Sequence, residues 1–494
     1  MKKLVVAYIL FFLLLRVPVY YFFNCPYWGG DAMTYLLHTR ENGLFIFDTR
    51  LPVYVLFVEF IARLTNSLAG IAIFQSVFSL GVSLGYLATA YRHYRNHFLF
   101  HLLFIALCYC NYYTIFYEVS IFSEAVYFNL LLLFFMWSRL AFDTGLKKYW
   151  LRSGIMLLVL LLTKQAAIFM LPLVALAAGY LLYKKMYGQA RLFVLPSLAG
   201  VLLFCSYNYI SLGKFAYSPF GGFNLVGTTI MYMHTSPKYP AEVNNCIANV
   251  KQQIPADEIE IINRSFNPLA LQRVFHNHYN DCHKLMVCIL NEPTSQKRIH
   301  LSPMAEYESI YYDISLTAIR QHPAIYFKFV GTMLLNYFVA SGFSLVTKME
   351  ISAEEKREYY DNLNQHFCKP GLSSTFCKLK EDTQRSSFNV VPSGGELAFW
   401  QYIILVLNKI SYSILWPAAQ FVFLVFIIWK VAIKKLPLQV AAIFAALIAS
   451  NILHAIGTSL VEETFIRYSY PFFYSYYYLV VAIPFLYSYL KEEY

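Results

Sequence analysis

Long apolar runs separated by short polar breaks set the pattern of this chain. Runs near 4–23, 68–91, 98–115, 120–138, 149–163, 166–183, 192–212, 412–429, 436–457 and 469–490 approach the roughly 20 residues that cross a bilayer as helix. Inside hydrocarbon the backbone must satisfy its own hydrogen bonds, which leaves helices and closed barrels. Unbroken apolar runs of this length select the helix. The opening MKKLVVAYILFFLLLR has the basic start and apolar core of a secretory signal, but no small-x-small cleavage site follows it. It reads as an uncleaved first span.

Two regions depart from the pattern. The run from Leu51 to Leu64 is too short to span, and counting it as a crossing would put Arg92 and Arg95 on the wrong side. It is expected to lie at the outer surface or to dip in and return. The preceding stretch, CPYWGGDAMTYLLHTRENGLFIFDTR, then belongs to one long outer loop, 24–67, with an amphipathic helix on either side of Arg50. From Gly213 to about Phe399 charges, Asn, Pro and Cys return, and the one long apolar piece is Ala324–Leu345. Both flanks of this region fall outside, so the piece is either an interfacial helix or one arm of a pair with Glu396–Lys409.

The resulting division is an N-terminal transmembrane module, 1–212, an extracytoplasmic region, 213–398, that includes the segment near 324–345, and C-terminal transmembrane helices, 399–494. The fold class is an all-α polytopic membrane protein of roughly 10 to 12 transmembrane helices, with helices in its outer loops and a mainly α outer domain. No internal repeat is evident, which argues against a transporter built from duplicated halves.

Composition sharpens this picture. The chain is 58% hydrophobic and only 14% charged, well below the charged fraction of soluble domains. Its formal charge of +11 suggests nucleic acid only until the cations are located. Lys2, Lys3, Arg92, Arg95, Lys147, Lys148, Arg152, Lys184, Lys185, Arg191, Lys430, Lys434, Lys435 and Lys491 cluster at span ends, as the positive-inside rule requires. The charge reports topology, and no nucleic-acid partner is implied. Cys108, Cys110 and Cys205 fall within spans, whereas Cys25, Cys246, Cys282, Cys288, Cys368 and Cys377 fall on the side away from the basic clusters. Disulfides are expected there, with Cys368–Cys377 and Cys282–Cys288 the shortest loops to close and connectivity otherwise open.

Candidate chemistry sits near the outer span ends, where charge beside hydrocarbon needs a reason. Asp31 follows Gly29 and Gly30, with Tyr35 one turn on. It reads either as the cap of a helix beginning near Ala32 or as a partly desolvated carboxylate suited to take a proton from a hydroxyl. Glu118 and Glu124 lie in NYYTIFYEVSIFSEAVYFN. Glu124 suits a helix N-terminus, or else orients an acceptor or a cation. Lys164, in LLTKQAAIF, either snorkels or places an ammonium at the depth of a lipid phosphate. VEETFIRYSYPFF carries Arg467 and Tyr468. Arg467 breaks the positive-inside pattern, either as a fork for phosphate or as a partner of Glu462 or Glu463. Arg16, inside the first span, either snorkels or faces the interior. No Walker loop, dinucleotide-type GxGxxG, HExxH or paired CxxC is present.

In order along the chain, GGDAMTYL, TRLPVYVLFVEFIARL, IFSEAVYFNLLLLF, LLTKQAAIFMLPL, GKFAYSPFGGFNLVG, IRQHPAIYFKFVGTML and EETFIRYSYPFF resemble bacterial polytopic glycosyltransferases of the GT-C fold. These are similar to protein mannosyltransferases and to the enzymes that add aminoarabinose to lipid A. The resemblance implies transfer of a sugar from a polyprenyl-phosphate donor to a lipid, glycan or protein acceptor on the extracytoplasmic side of the bacterial inner membrane. It makes Asp31 the general base, Lys164, Arg467, Arg16 and Arg50 the candidates for the donor phosphate, and Glu118, Glu124, Tyr35 and Tyr468 the candidates for acceptor or cation. Many relatives carry Asp-Glu where this chain has Asp31-Ala32, which leaves Asp31 as the one carboxylate at that spot. Some relatives depend on a divalent cation and others do not, so the metal is unassigned. Two further readings are a flippase or transporter for a lipid-linked glycan and an envelope polysaccharide polymerase.

Overall fold

A computed structural model describes residues 2–22, 35, 40–41, 44–45, 47, 50–218, 220–279, 281–291, 303–339 and 438–461, with positions 422–423, 425–426, 429–430, 478 and 482. These residues are almost entirely helical. Four helical segments among them are long and apolar enough to cross a membrane, Leu68–His93, Glu124–Thr144, Gln165–Tyr183 and Tyr187–Leu212. The protein is an α-helical membrane protein. The expected spans near 412–429 and 469–490 lie largely outside the described residues.

The first helix, α1, covers Lys2–Phe22. A minimal hairpin follows, in which β1 (Arg40–Glu41) pairs antiparallel with β2 (Leu44–Phe45). An amphipathic helix was expected on that side of Arg50, and most of residues 23–49 lie outside the described residues. The Asn42-Gly43 dipeptide between the strands is the sequence best suited to a two-residue hairpin connection.

Helix α2 (Pro52–Thr65) begins with proline in its first turn and ends on Asn66 in the left-handed conformation, φ 49°. Ser67 then caps α3 (Leu68–His93) by accepting the Ala69 N–H at 3.2 Å. Tight capping from both sides folds α2 back on α3 as a helical hairpin. Tyr54, Val55, Val58 and Ile61 of α2 are buried, while Leu56, Phe60 and Leu64 stay exposed. The α2 segment is thus wedged into one end of the bundle, where the Val53 N–H donates to the Leu162 carbonyl at 3.0 Å.

The run expected to span at 98–115 is broken. Helix α4 stops after Phe98–Tyr109, and Asn111 starts a new short helix, α5 (Tyr112–Glu118), by accepting the Thr114 N–H at 3.0 Å. The same side chain donates to the carbonyls of Leu107 and Cys108. An Asn that satisfies both sides of a break stabilises it over the continuous helix.

The remaining bundle alternates in direction: α6 (Glu124–Thr144), α7 (Lys147–Leu161), a 3-10 turn (Gln165–Met170) leading into α8 (Leu171–Tyr183), and α9 (Tyr187–Leu212). Helices α7 and α9 approach closely at Gly154, where a Cβ would lie 2.5 Å from the carbonyl oxygens of Leu192 and Phe193. At one end Tyr149 meets His93 and Tyr94 meets Asp143. The basic residues at 92–95, 147–152 and 184–191 belong to this end. At the other end Gln165 meets Ser218 and Tyr217 meets the Leu161 carbonyl.

A second helical unit follows at that other end: α10 (Gly221–Thr229), α11 (Ala241–Gln252), α12 (Ala256–Arg264), α13 (Pro268–Tyr279), α14 (Asp281–Asn291) and α15 (Pro303–Gln321). Its core contains Phe223, Val226, Ile247, Leu285 and Tyr311, and it continues into Phe329 and Met333 of α16 (Pro323–Val339). A disulfide joins Cys246 of α11 to Cys288 of α14. Cys282 is buried and free, so the expected Cys282–Cys288 pair is corrected. Both residues lie on one helix, α14, and packing of α11 against it brings Cys246 to Cys288. Cys25, Cys368 and Cys377 lie outside the described residues.

Helix α16 runs antiparallel to α17 (Leu438–Val461). The Tyr326 hydroxyl donates to the Leu460 carbonyl at 2.5 Å, and eleven residues further along α16 the Tyr337 hydroxyl donates to Asn451 at 2.9 Å. The described part of the segment near 324–345, Pro323–Val339, therefore packs along α17. The Glu396–Lys409 segment proposed as the other arm lies outside the described residues.

Candidate functional site

At the end of the bundle away from the basic residues, polar side chains from several helices and their connections meet in two connected nets. The first is dry. Arg16 of α1 is 2% exposed and Glu118 is 0% exposed. The guanidinium donates through Nε to Glu118 Oε2 at 2.6 Å and through Nη2 to Oε1 at 2.9 Å, and Nη2 also reaches the Tyr109 carbonyl at 2.9 Å. The Ser76 hydroxyl donates to Glu118 Oε2 at 2.8 Å. A bidentate pair with additional donors is the arrangement that makes a buried ion pair tolerable.

The second net surrounds Lys164. Helix α7 stops just short of it, and Lys164 is extended (φ −144°, ψ 131°) ahead of the 3-10 turn. Its Nζ lies 3.0 Å from Glu124 Oε1 and 5.8 Å from the centroid of the Tyr127 ring. Glu124 is the first residue of α6, so its carboxylate also faces the positive end of that helix. The Tyr35 hydroxyl donates to Ser123 Oγ at 3.0 Å, and the Arg50 guanidinium lies 4.8 Å over the Tyr35 ring. Tyr35 packs edge-on against Tyr54 at 4.7 Å.

Gln75 joins the two nets. It accepts from the Tyr54 hydroxyl at 3.0 Å and donates to the carbonyls of Glu118 and Ser120, both at 2.8 Å. Helix α17 closes the far side. Gly457 seats the Phe169 ring, at a spot where any Cβ would overlap it. The sequence continues from this end of α17 toward Arg467.

Of the residues singled out from sequence, the structure brings together Tyr35, Arg50, Glu124 and Lys164, and places Arg16 with Glu118 in the adjoining buried pair. Asp31, Arg467 and Tyr468 lie outside the described residues. Among the described residues no group of three His, Cys, Asp or Glu side chains is arranged to hold a metal ion; Glu118 and Glu124 each face a basic side chain. Gln75, Ser76 and Ser123 were not singled out. Gln75 and Ser76 carried a usable signal, since two adjacent polar residues interrupt AIFQSVF inside a span.

No family model matches this chain, and no curated protein or solved structure does either.

Proposed function

We propose that this protein is a GT-C-type glycosyltransferase of a bacterial inner membrane, with roughly 10 to 12 spans, that moves a sugar from a polyprenyl-phosphate carrier to an extracytoplasmic lipid, glycan or protein acceptor. The observation that carries the reading is the meeting of Lys164, Glu124, Tyr35 and Arg50 at the bundle end opposite the basic residues. The helical unit attached at that end holds the Cys246–Cys288 disulfide. Disulfides persist in oxidising compartments and basic span ends stay cytoplasmic, so both features favour an outward-facing site.

In the proposed reaction the Asp31 carboxylate takes the proton of an acceptor hydroxyl as its oxygen bonds to the anomeric carbon. The bond from that carbon to the phosphate oxygen breaks, and the phosphate leaves with the electron pair. In-line displacement inverts the anomeric configuration. Lys164, oriented by Glu124, and Arg50, stacked on Tyr35, stabilise the departing phosphate, together with Arg467. The Arg16–Glu118 pair is enclosed in the bundle and serves to hold the 118–124 turn in place.

The test is release of polyprenyl phosphate from a synthetic polyprenyl-phosphate sugar by the protein in lipid nanodiscs. Asp31→Asn should lose about 10² to 10⁴ in turnover, the usual worth of a general base, while donor still binds. Lys164→Met should weaken donor binding. Parental turnover by Asp31→Asn ends its role as base. Intact donor moving between leaflets with no phosphate released identifies a flippase, and many sugars added per acceptor identifies a polymerase.

A further inference from the structure

The second helical unit carries an aromatic tip that the packing leaves bare. In the connection between α12 and α13, Phe266 is 81% exposed, and on the neighbouring turn of α16 Phe327 is 68% exposed. Large apolar rings left in water are unfavourable. Lys328 fastens the tip in place. Its ammonium donates to the carbonyls of Ile262 and Asn263, each at 2.9 Å, and lies 4.4 Å over the Phe266 ring. The tip is therefore held in one position relative to α16.

That position sits beside the end of an apolar helix. Tyr326, one residue before Phe327, donates to the carbonyl of Leu460, where the apolar stretch Ala445–Leu460 of α17 ends and the sequence turns to Glu462-Glu463. Phe327 also belongs to a line of exposed small or apolar residues on α16. Ala324, Phe327, Gly331 and Leu335 recur at the three- and four-residue spacing of one helix face, opposite Phe329, Met333 and Tyr337, which are buried. The stripe runs along a helix paired with the apolar helix Ala445–Leu460 of α17. Lys328 ties Phe266 to the Phe327 end of it.

We propose that the α12–α13 tip is an interfacial membrane anchor, with Phe266 inserted at the boundary of headgroups and acyl chains in the leaflet beside α16. The partner is the phospholipid bilayer. Lys328 supplies the cation that belongs at phosphate depth, and Arg264, paired with Glu260 at 2.6 Å, lies two residues before the phenylalanine. The anchor joins a helical unit outside the bundle to the membrane surface independently of its covalent connections.

The test is Phe266→Trp in bilayers of brominated phosphatidylcholine, with Phe327→Trp as a reference for the stripe. The chain already has six tryptophans, so the parent protein is measured alongside and subtracted. The proposal expects the added emission to be blue-shifted, strongly quenched by bromine placed near the headgroup end of the acyl chain, and insensitive to aqueous iodide. Quenching by iodide and not by bromine puts the tip in water and overturns the proposal. Shielding from both quenchers means that protein covers the tip, which also overturns it.

Discussion

Removing one partner of the Arg16–Glu118 pair should be among the most damaging single changes in the bundle. Arg16→Met keeps an unbranched side chain of similar length but leaves the Glu118 carboxylate with Ser76 as its remaining partner among the contacts described above. Breaking a buried pair from one side costs about 3–5 kcal/mol. The Tyr109 carbonyl loses the guanidinium donor as well, and a lost hydrogen bond to a charged group adds about 1.5–3 kcal/mol. The expected loss is therefore at least about 4 kcal/mol, a shift of about a thousandfold in the folding equilibrium. Replacing both residues removes the isolated charge, so Arg16→Met/Glu118→Met should be less destabilised than either single variant. The assay is unfolding in mixed micelles by graded addition of sodium dodecyl sulfate, followed by circular dichroism, with the four proteins treated as a double-mutant cycle. A loss below about 1 kcal/mol for Arg16→Met, or a double variant that costs the sum of the singles, would refute the claim that the pair is dry and mutually dependent.

Peptide mapping without reduction should find Cys246 linked to Cys288, with Cys282 alkylated only after denaturation; a Cys282–Cys288 link contradicts the fold of the second unit. Cys246→Ser should cost that unit about 4 kcal/mol on the chain-entropy estimate for a separation of 42 residues. His234 has its pKa lowered by burial first and by the charges of Lys251 and His322 second. As pH falls through the ordinary histidine range the unfolded chain takes up that proton before the folded one, so stability present at neutral pH declines on acidification. His234→Gln should lessen the fall in melting temperature between about pH 7.5 and about pH 5.5, and an identical fall in parent and variant removes His234 as a cause. Gly457→Ala should force the Phe169 ring aside and cost about 1–3 kcal/mol, read in the same detergent titration; a neutral result means that α17 does not press on the Lys164 turn.

How much of this was legible in the chain depended on the range of the interactions. Apolar length placed α3, α6, α8 and α9, because a segment facing lipid declares itself without reference to any neighbour. Lys and Arg at 92–95, 147–152 and 184–191 were grouped by the same local reading, and the fold gathers them at one end of the bundle. The break at Cys110–Asn111 was hidden, since the run Phe98–Ile115 carries only scattered polar residues, His101, Asn111 and Thr114, and the competition of the Asn111 side chain for backbone groups ends the helix. Strand pairing at 40–45 was signalled by Asn42-Gly43 alone, since two-residue strands are too short to show an alternating pattern. The disulfide could not be read, because loop length favours Cys282 while tertiary packing delivers Cys246. In the site, the polar residues at span ends were visible one by one. That Arg16 belongs with Glu118 and Lys164 with Glu124 depends on contacts 102 and 40 residues apart in sequence, which no local pattern encodes.

The interruption between α4 and α6 also bears on how the protein is made. Irregular backbone at membrane depth survives only where its polar groups find protein partners. Here Arg16 serves the carbonyl of Tyr109, and Gln75 serves those of Glu118 and Ser120. Both donors precede the interruption in the chain, so during synthesis from the N-terminus the side chains that accommodate the irregular stretch have already left the ribosome when it arrives. The order of residues along the polypeptide thus spares the nascent protein an interval in which bare carbonyls face lipid.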